Sequence, residues 1–134
     1  MVTAPNLPPV PHLQALPPDG VAFVLSQARQ QGWQTFHLAL SDARLDHALA
    51  ALGRCLAFPD WYGANLDALA DCLGDLSWLP DTGVVLCLTG GEAMARQAPQ
   101  DWQGLQAVLQ EAVATWHAAQ RPFLVYLDPP PSLP

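Results

Sequence analysis

The chain contains no lysine. Its permanently cationic side chains are five arginines, against twelve acidic residues in 134, and the formal net charge is −7. Nucleic acids and anionic membranes are bound through clusters of basic side chains, so this composition argues against both as partners. It favours a basic protein as the partner instead.

Long apolar runs and paired cysteines are also missing. No stretch approaches the roughly 18 apolar residues of a membrane-spanning helix, and the N-terminus lacks the basic and apolar regions of a secretory signal. Cys55, Cys72 and Cys87 show neither a C-x-x-C motif nor zinc-ligand spacing, so we expect buried free thiols. These features predict a cytoplasmic protein without a metal or other cofactor.

Proline divides the chain into a central domain and two tails. Residues 1–18 hold six of the fourteen prolines and show almost no periodicity, which predicts a mobile extension. Residues 19–128 have the length and apolar content of one domain with its own core. Residues 129–134 form a Pro-rich tail. Alternatively, the N-terminal segment packs on the domain through its apolar side chains, which are Leu7, Val10 and Leu13.

Strand and helix patterns alternate between the two tails. The predicted strands are Thr35–Leu40, the apolar run Val84–Leu88, and Phe123–Leu127. The predicted helices are Asp19–Gln31, capped by Asp19 and ended by Gly32, a helix from Asp42 that Pro59 halts, 64–76, Glu92–Gln97 and Asp101–Ala119. This order predicts an α/β layered domain, in which helices pack on a parallel sheet of three strands.

An acidic row is the most distinctive feature of the predicted helix 64–76. At about 100° per residue, Asp67, Asp71 and Asp75 lie in line on one face. The opposite face carries the leucines, which are Leu66, Leu69, Leu73 and Leu76. Like charges at this spacing repel by roughly 0.2–0.5 kcal/mol per pair. The row therefore predicts a surface that a cationic partner neutralises.

The surroundings of this row favour a role in recognition. Trp61, Tyr62 and Gly63 come just before the helix, and no basic residue occurs between Arg54 and Arg96. Aromatic side chains beside an unbalanced charge are what the core and the electrostatic field of a protein interface require. The alternative is an ordinary solvated helix face, whose first aspartate is favoured by the helix macrodipole.

Signals for catalysis or metal binding are weaker. Three carboxylates in one row on one helix are poorly placed to act on a bond from two sides, although a hydrolase using Asp67 and Asp71 stays an alternative. The histidines show no paired ligand spacing. Thr89-Gly90-Gly91 lacks the other residues of a phosphate-binding loop and is interpreted as a turn. Cys72 is expected near the core side of the acidic helix, where the carboxylates raise its pKa. We expect no enzymatic activity.

Residues 59–73, Pro-Asp-Trp-Tyr-Gly-Ala-Asn-Leu-Asp-Ala-Leu-Ala-Asp-Cys-Leu, closely resemble the signature of the barstar family, small cytoplasmic inhibitors of bacterial ribonucleases. The resemblance runs through these consecutive positions and extends more weakly from about Thr35 to Leu127, including Gln110-Glu111-Ala112. The fold it implies, a barstar-like layered domain with a three-stranded parallel sheet and packed helices, agrees with the order of elements given above.

The resemblance also implies a function. In the family, the acidic helix and the loop before it block the active site of a basic ribonuclease, and their carboxylates stand where substrate phosphates lie. It assigns the principal contact to Asp71, a second one to Asp67 and a peripheral one to Glu111. The full set of predicted partner-binding residues is Trp61, Tyr62, Gly63, Asn65, Asp67, Asp71, Asp75 and Glu111.

Two positions in the predicted acidic helix depart from the best-known family member. Ala70 stands where that member has a tryptophan, and Asp75 adds a charge where it has glycine. These departures leave a second function open, that of a barstar-like interaction domain that binds another basic protein without inhibiting a ribonuclease. The free protein is expected to be a monomer.

Overall fold

The structure is a computed structural model that describes residues 10–77, 79 and 82–131. Its helices and strands follow one another as β1 (Gln14–Ala15), α1 (Gly20–Gln30), β2 (Gln34–Ala39), α2 (Leu45–Cys55), α3 (Leu66–Asp75), β3 (Val84–Thr89), α4 (Glu92–Gln97), α5 (Pro99–Ala118) and β4 (Phe123–Leu127). All the predicted helices and strands are present, and α4 and β4 have the predicted bounds.

The sheet is parallel throughout and has the strand order β1-β4-β3-β2. The prediction of a parallel sheet is confirmed, but the prediction of three strands is wrong. The additional strand is β1, which pairs Gln14 with Tyr126 and Ala15 with Leu127. Two residues are too few for a periodic pattern, so β1 leaves no recognisable signal in the sequence.

The described part of the N-terminal segment, residues 10–18, packs on the domain. Leu13 is buried in the main core and Val10 is half-buried, which corresponds to the alternative of surface packing. Leu7, and with it the rest of residues 1–9, lies outside the described residues. The same is true of residues 132–134 in the Pro-rich tail.

Two apolar cores lie on the two faces of the sheet. The main core, between the sheet and α2, α3 and α5, takes Leu86 and Val125 from the strands. The second core lies under α1, where Val24 and Ala28 meet Val85 and Leu124. Because β3 and β4 are covered on both faces, their residues from Val84 to Leu88 and from Phe123 to Leu127 are all buried. This burial explains their continuous apolar runs.

Helix α3 is fixed to its neighbour by a buried hydrogen bond. The indole Nε1 of Trp116 on α5 donates to the carbonyl oxygen of Leu73 at 2.9 Å. The ring centroids of Trp116 and Phe123 lie 5.4 Å apart. The guanidinium carbon of Arg121 lies 4.0 Å from the ring centroid of Trp116. A buried indole N–H needs such a partner, so this contact sets the position of α3.

Gly32 and Gly90 form turns as predicted, whereas Asp19 does not cap α1 through its side chain. Gly32 ends α1 with a φ of +78°, as its position predicts. Asp19 stands before α1 but its side chain makes no cap hydrogen bond, because its own backbone is already helical. Gly90 forms the turn after β3 with a φ of +77°, and a Cβ there would lie 2.3 Å from the carbonyl oxygen of Leu40. This glycine thus serves backbone packing.

The cysteines are free thiols, as predicted. Cys72 and Cys87 are buried, whereas Cys55 is half-buried. Burial raises the pKa of Cys87 to about 11. No helix in the described part of the chain has both the length and the hydropathy needed to cross a bilayer.

Candidate partner-binding surface

The acidic row lies in solvent on the outer face of α3. Asp67, Asp71 and Asp75 are exposed, whereas the inner face of the helix is buried apart from Leu66 in its first turn, which is half-buried. Leu69, Cys72 and Leu73 on the inner face are buried, and so is Leu76, the residue that ends the helix. The predicted division of this helix into an apolar and an acidic face is therefore present in the structure.

The carboxylates of the row are not neutralised within the described residues. Neither Asp67 nor Asp71 forms a hydrogen bond or an ion pair there, and Asp75 accepts one hydrogen bond, from Ser77 Oγ at 3.2 Å. Near the start of α2, Arg44 forms an ion pair with Asp46 at 2.7 Å, and Nδ1 of His47 shares a hydrogen bond with Asp42 at 2.6 Å. The row thus leaves its charge available to a partner.

Asn65 fixes the beginning of α3. Its backbone is extended, and its Oδ1 accepts a hydrogen bond from the backbone N–H of Ala68 at 2.7 Å. Capping of this kind stabilises a helix by about 1 kcal/mol. The sequence placed Asn65 in the contact loop but did not predict this cap, although an asparagine just before an apolar-periodic segment is a usual signal for one.

Trp61 and Tyr62 point in different directions. Trp61 is 59% exposed, and among the described residues it is the large apolar side chain that faces solvent. Tyr62 is half-buried, and its hydroxyl donates to the carbonyl oxygen of Leu49 on α2 at 2.8 Å. Burial, with Cys72 nearby, raises the pKa of Tyr62 to about 12. Tyr62 therefore anchors the loop, while Trp61 offers a surface.

Small residues let this loop lie close to α2. The ring of Tyr62 packs edge-on against Phe58 at 4.7 Å, and a Cβ added at Gly53 would lie 2.7 Å from the tyrosine ring. Gly63 is exposed, and Ala64 adopts a φ of +53° just before the cap. A left-handed conformation is costly for a residue with a Cβ, so the surrounding contacts hold it in place.

Glu111 lies exposed on α5, the helix that packs beside α3. Gly104 stands seven residues before Glu111, which is two helical turns and nearly the same face of α5. Leu66 of α3 approaches this glycine, and a Cβ added at Gly104 would lie 3.2 Å from Cδ1 of Leu66. Glu111 therefore stands on the side of α5 that faces α3.

Groups suited to catalysis do not gather at this surface. Within residues 10–77, 79 and 82–131, no three His, Cys, Asp or Glu side chains converge as a metal site requires. In the described chain, His37 hydrogen-bonds Thr89 and His47 hydrogen-bonds Asp42, so neither of these bonds reaches a carboxylate of the acidic row. Cys72 lies on the buried side of α3, and burial followed by the charges of Asp71 and Asp75 raises its thiol pKa. A thiol of raised pKa is a poor nucleophile.

Comparison with known proteins defines the class of this fold and surface. Residues 23–128 match the model of the barstar family, described as the barnase inhibitor. The match covers most of the chain, and the protein belongs to the barstar family. The resemblance of residues 59–73 is thereby confirmed at the level of the family. No curated protein matches the chain.

Removal of the central charge should stabilise the free protein. Asp71→Ala relieves two repulsive pairs, worth roughly 0.4–1 kcal/mol together, and introduces a better helix former. Asp67→Ala should gain less, because a negative charge is favoured near a helix N-terminus. The measurement is urea unfolding at low salt.

Glu111→Ala is the matched control for this prediction, since Glu111 has no acidic neighbour three or four residues away on α5. Its midpoint should change less than that of Asp71→Ala, and the difference should shrink in high salt. A clearly lower midpoint for Asp71→Ala would show that this carboxylate supports the fold.

The two neighbouring aromatic residues should separate in a stability measurement. Tyr62→Phe removes the hydrogen bond to Leu49 and should lower the free energy of unfolding by about 0.5–1.5 kcal/mol. Trp61→Ala deletes a larger but exposed side chain and should stay within about 0.5 kcal/mol of wild type. Urea unfolding of both variants checks this order, and the reverse order would contradict the placement of the two rings.

Proposed function

We propose that this protein is an intracellular inhibitor that binds the active site of a basic ribonuclease through α3 and the loop before it. The observation that carries the proposal is the exposed row of three carboxylates without a cationic partner in the described chain. Membership of the barstar family supports the same function. The free thiols are in keeping with a reducing cytoplasm.

The proposed mechanism is electrostatic mimicry of a polyanion. A ribonuclease binds RNA phosphates through arginine, lysine and histidine side chains, and carboxylates spaced along a helix offer these cations similar partners. The Asn65 cap and the Trp116–Leu73 hydrogen bond hold α3 in place before binding. A surface ordered in advance loses less entropy on association.

The surface suggests different roles for its residues. We assign Asp71, in the middle of the row, to the principal contact and Asp67 to the second. Trp61 supplies an exposed aromatic surface at the edge, and Gly63 lets the partner approach the backbone. Asp75 and Glu111 extend the negative field at the periphery. Tyr62 and Asn65 contribute mainly by holding the loop and helix in place.

A second candidate function is binding of another basic protein without ribonuclease inhibition. The observation in its favour is the composition of α3, which has the small Ala70 just before Asp71 and a third charge at Asp75. A surface with fewer aromatic and more acidic groups suits a partner that is broadly basic. In both cases the protein acts by binding and not as an enzyme, and its net charge of −7 favours a monomer.

The function is tested by titrating the protein into barnase and following cleavage of a fluorogenic RNA oligonucleotide. We expect loss of cleavage at about equimolar inhibitor and recovery of cleavage with the Asp67→Ala, Asp71→Ala double variant. Asp19→Ala, which removes the same charge near α1 on the opposite face of the sheet, is the matched control and should inhibit like wild type. Full cleavage with wild type, together with stable capture of a different basic protein, would favour the second candidate.

Single substitutions should rank the residues of the row. Asp71→Ala should weaken binding to the nuclease more than any other surface change, by about 2–5 kcal/mol, because it leaves the partner's cation buried and unpaired. This range is adopted from charged protein interfaces in general, among them the barnase–barstar complex. Asp67→Ala should follow. Calorimetric affinities within a few tenths of a kcal/mol of wild type for both variants would contradict the site.

Association should depend steeply on salt. The Debye length falls from about 30 Å at 0.01 M to about 10 Å at 0.1 M ionic strength, which screens the attraction between an acidic inhibitor and a basic enzyme. Stopped-flow association rates should therefore decrease strongly over this range, while dissociation rates change little. Association rates that stay constant would contradict an electrostatic interface.

A further inference from the structure

The N-terminal segment 11–16 is held from two sides by different elements. On one side β1 continues the sheet next to β4, and the N–H of Leu16 donates to the carbonyl oxygen of Leu127 at 3.4 Å. On the other side stands Gln110 of α5, which contacts residues 11 and 13 of the segment. The segment thus occupies a cleft between the edge of β4 and α5.

Gln110 engages the backbone of the segment as a neighbouring strand does. Its Oε1 accepts the N–H of Leu13 at 3.0 Å, and its Nε2 donates to the carbonyl oxygen of Pro11 at 2.7 Å. In a parallel sheet, a residue likewise donates to a carbonyl oxygen of the neighbouring strand and accepts from the N–H two residues further along that strand. A single side-chain amide therefore extends the pairing beyond β1. Neither hydrogen bond involves the side chain of His12, which lies between the two bonded residues.

Specificity for a side chain comes from Leu13. Its side chain is 6% exposed and belongs to the main core, while Leu16 packs against the second core from the other face of the strand. Residues 11–16 include no Asp, Glu, Lys or Arg. The cleft thus accepts an extended segment that has an apolar anchor and no carboxylate, lysine or arginine.

The strand within this segment is short, and a proline-containing turn joins it to α1. The strand itself has two residues, and the turn that follows contains Pro17 and Pro18, closed by a hydrogen bond from the N–H of Gly20 to the carbonyl oxygen of Pro17 at 2.9 Å. The match to the barstar family begins at residue 23, so the segment lies outside the matched region, as do the first residues of α1.

We propose that the cleft between the β4 edge and α5 is a peptide-binding site of the strand-addition class, occupied by the chain's own segment 11–16. Affinity comes from main-chain hydrogen bonds to β4 and to Gln110, and specificity comes from the pocket that buries Leu13. The site does not depend on the proposed inhibition of a ribonuclease. It uses the edge of the sheet that β1 covers, and not the acidic row.

The test uses the full chain with Leu13→Asp, which places a charge in the apolar pocket and releases the segment. The probe is a fluorescein-labelled peptide of residues 10–18, followed by fluorescence anisotropy. We expect saturable binding to the variant and far weaker binding to wild type, whose own segment is tethered at high effective concentration. A peptide that itself carries Leu13→Asp is the matched control and should not bind.

Gln110→Ala, added to Leu13→Asp, should weaken peptide binding by roughly tenfold or more, because two hydrogen bonds are lost. The proposal is overturned if the peptide fails to bind a natively folded Leu13→Asp variant, or if it binds wild type equally well.

Amide hydrogen exchange keeps the proposal testable if Leu13→Asp does not fold. In the otherwise wild-type chain, Gln110→Ala should accelerate exchange of the Leu13 amide by roughly tenfold and leave the amides of β3 unchanged. Equal exchange of the Leu13 amide in Gln110→Ala and wild type would overturn the role of Gln110 and the site with it.

Discussion

Burial of the leucine face of α3 is the contact on which the proposed function depends. Each fully buried leucine contributes roughly 1.5–3 kcal/mol, and Leu69, Leu73 and Leu76 are all buried. The repulsion within the acidic row is roughly 0.2–0.5 kcal/mol per pair, so packing dominates by a wide margin. The fold can therefore hold three like charges in solvent, and the cost stays small until a cationic partner removes it.

The loop before α3 divides two tasks between adjacent aromatic residues. Tyr62 faces inward and bonds the carbonyl oxygen of Leu49, so the loop is fixed to α2. Trp61 faces outward and remains available. Asn65 then starts the helix at a defined residue, which sets the rotation of the acidic row. The loop and the helix start are thus held by Tyr62 and Asn65, and not by the charged residues of the acidic row.

Periodic patterns and the family signature were sufficient to predict most of this architecture. The alternation of helices and strands, the two faces of α3 and the buried state of β3 all follow from spacings of apolar residues. The confirmed family membership agrees with the signature at residues 59–73. The assignment of individual residues to a partner interface stays a prediction.

Two of the missed features depend on contacts between residues that are separated in the sequence, and a third depends on local backbone geometry. Strand β1 has only two residues, and what holds its segment is Gln110, 97 positions after Leu13. The inward orientation of Tyr62 depends on the absence of a side chain at Gly53. The failure of Asp19 as a cap arises from the helical backbone at that residue, although its side chain is of the preferred type. Propensity alone carries none of this information.

In the proposed complex, the carboxylates of α3 occupy the place of RNA phosphates in a nuclease active site. Steady-state inhibition of barnase, measured over a range of RNA substrate concentrations, distinguishes this placement from binding elsewhere on the enzyme. We expect competitive inhibition, in which the apparent KM rises with inhibitor while kcat stays constant and a small mononucleotide ligand of the active site is displaced. A fall in kcat with unchanged KM, or a ternary complex containing both inhibitor and mononucleotide, would contradict it.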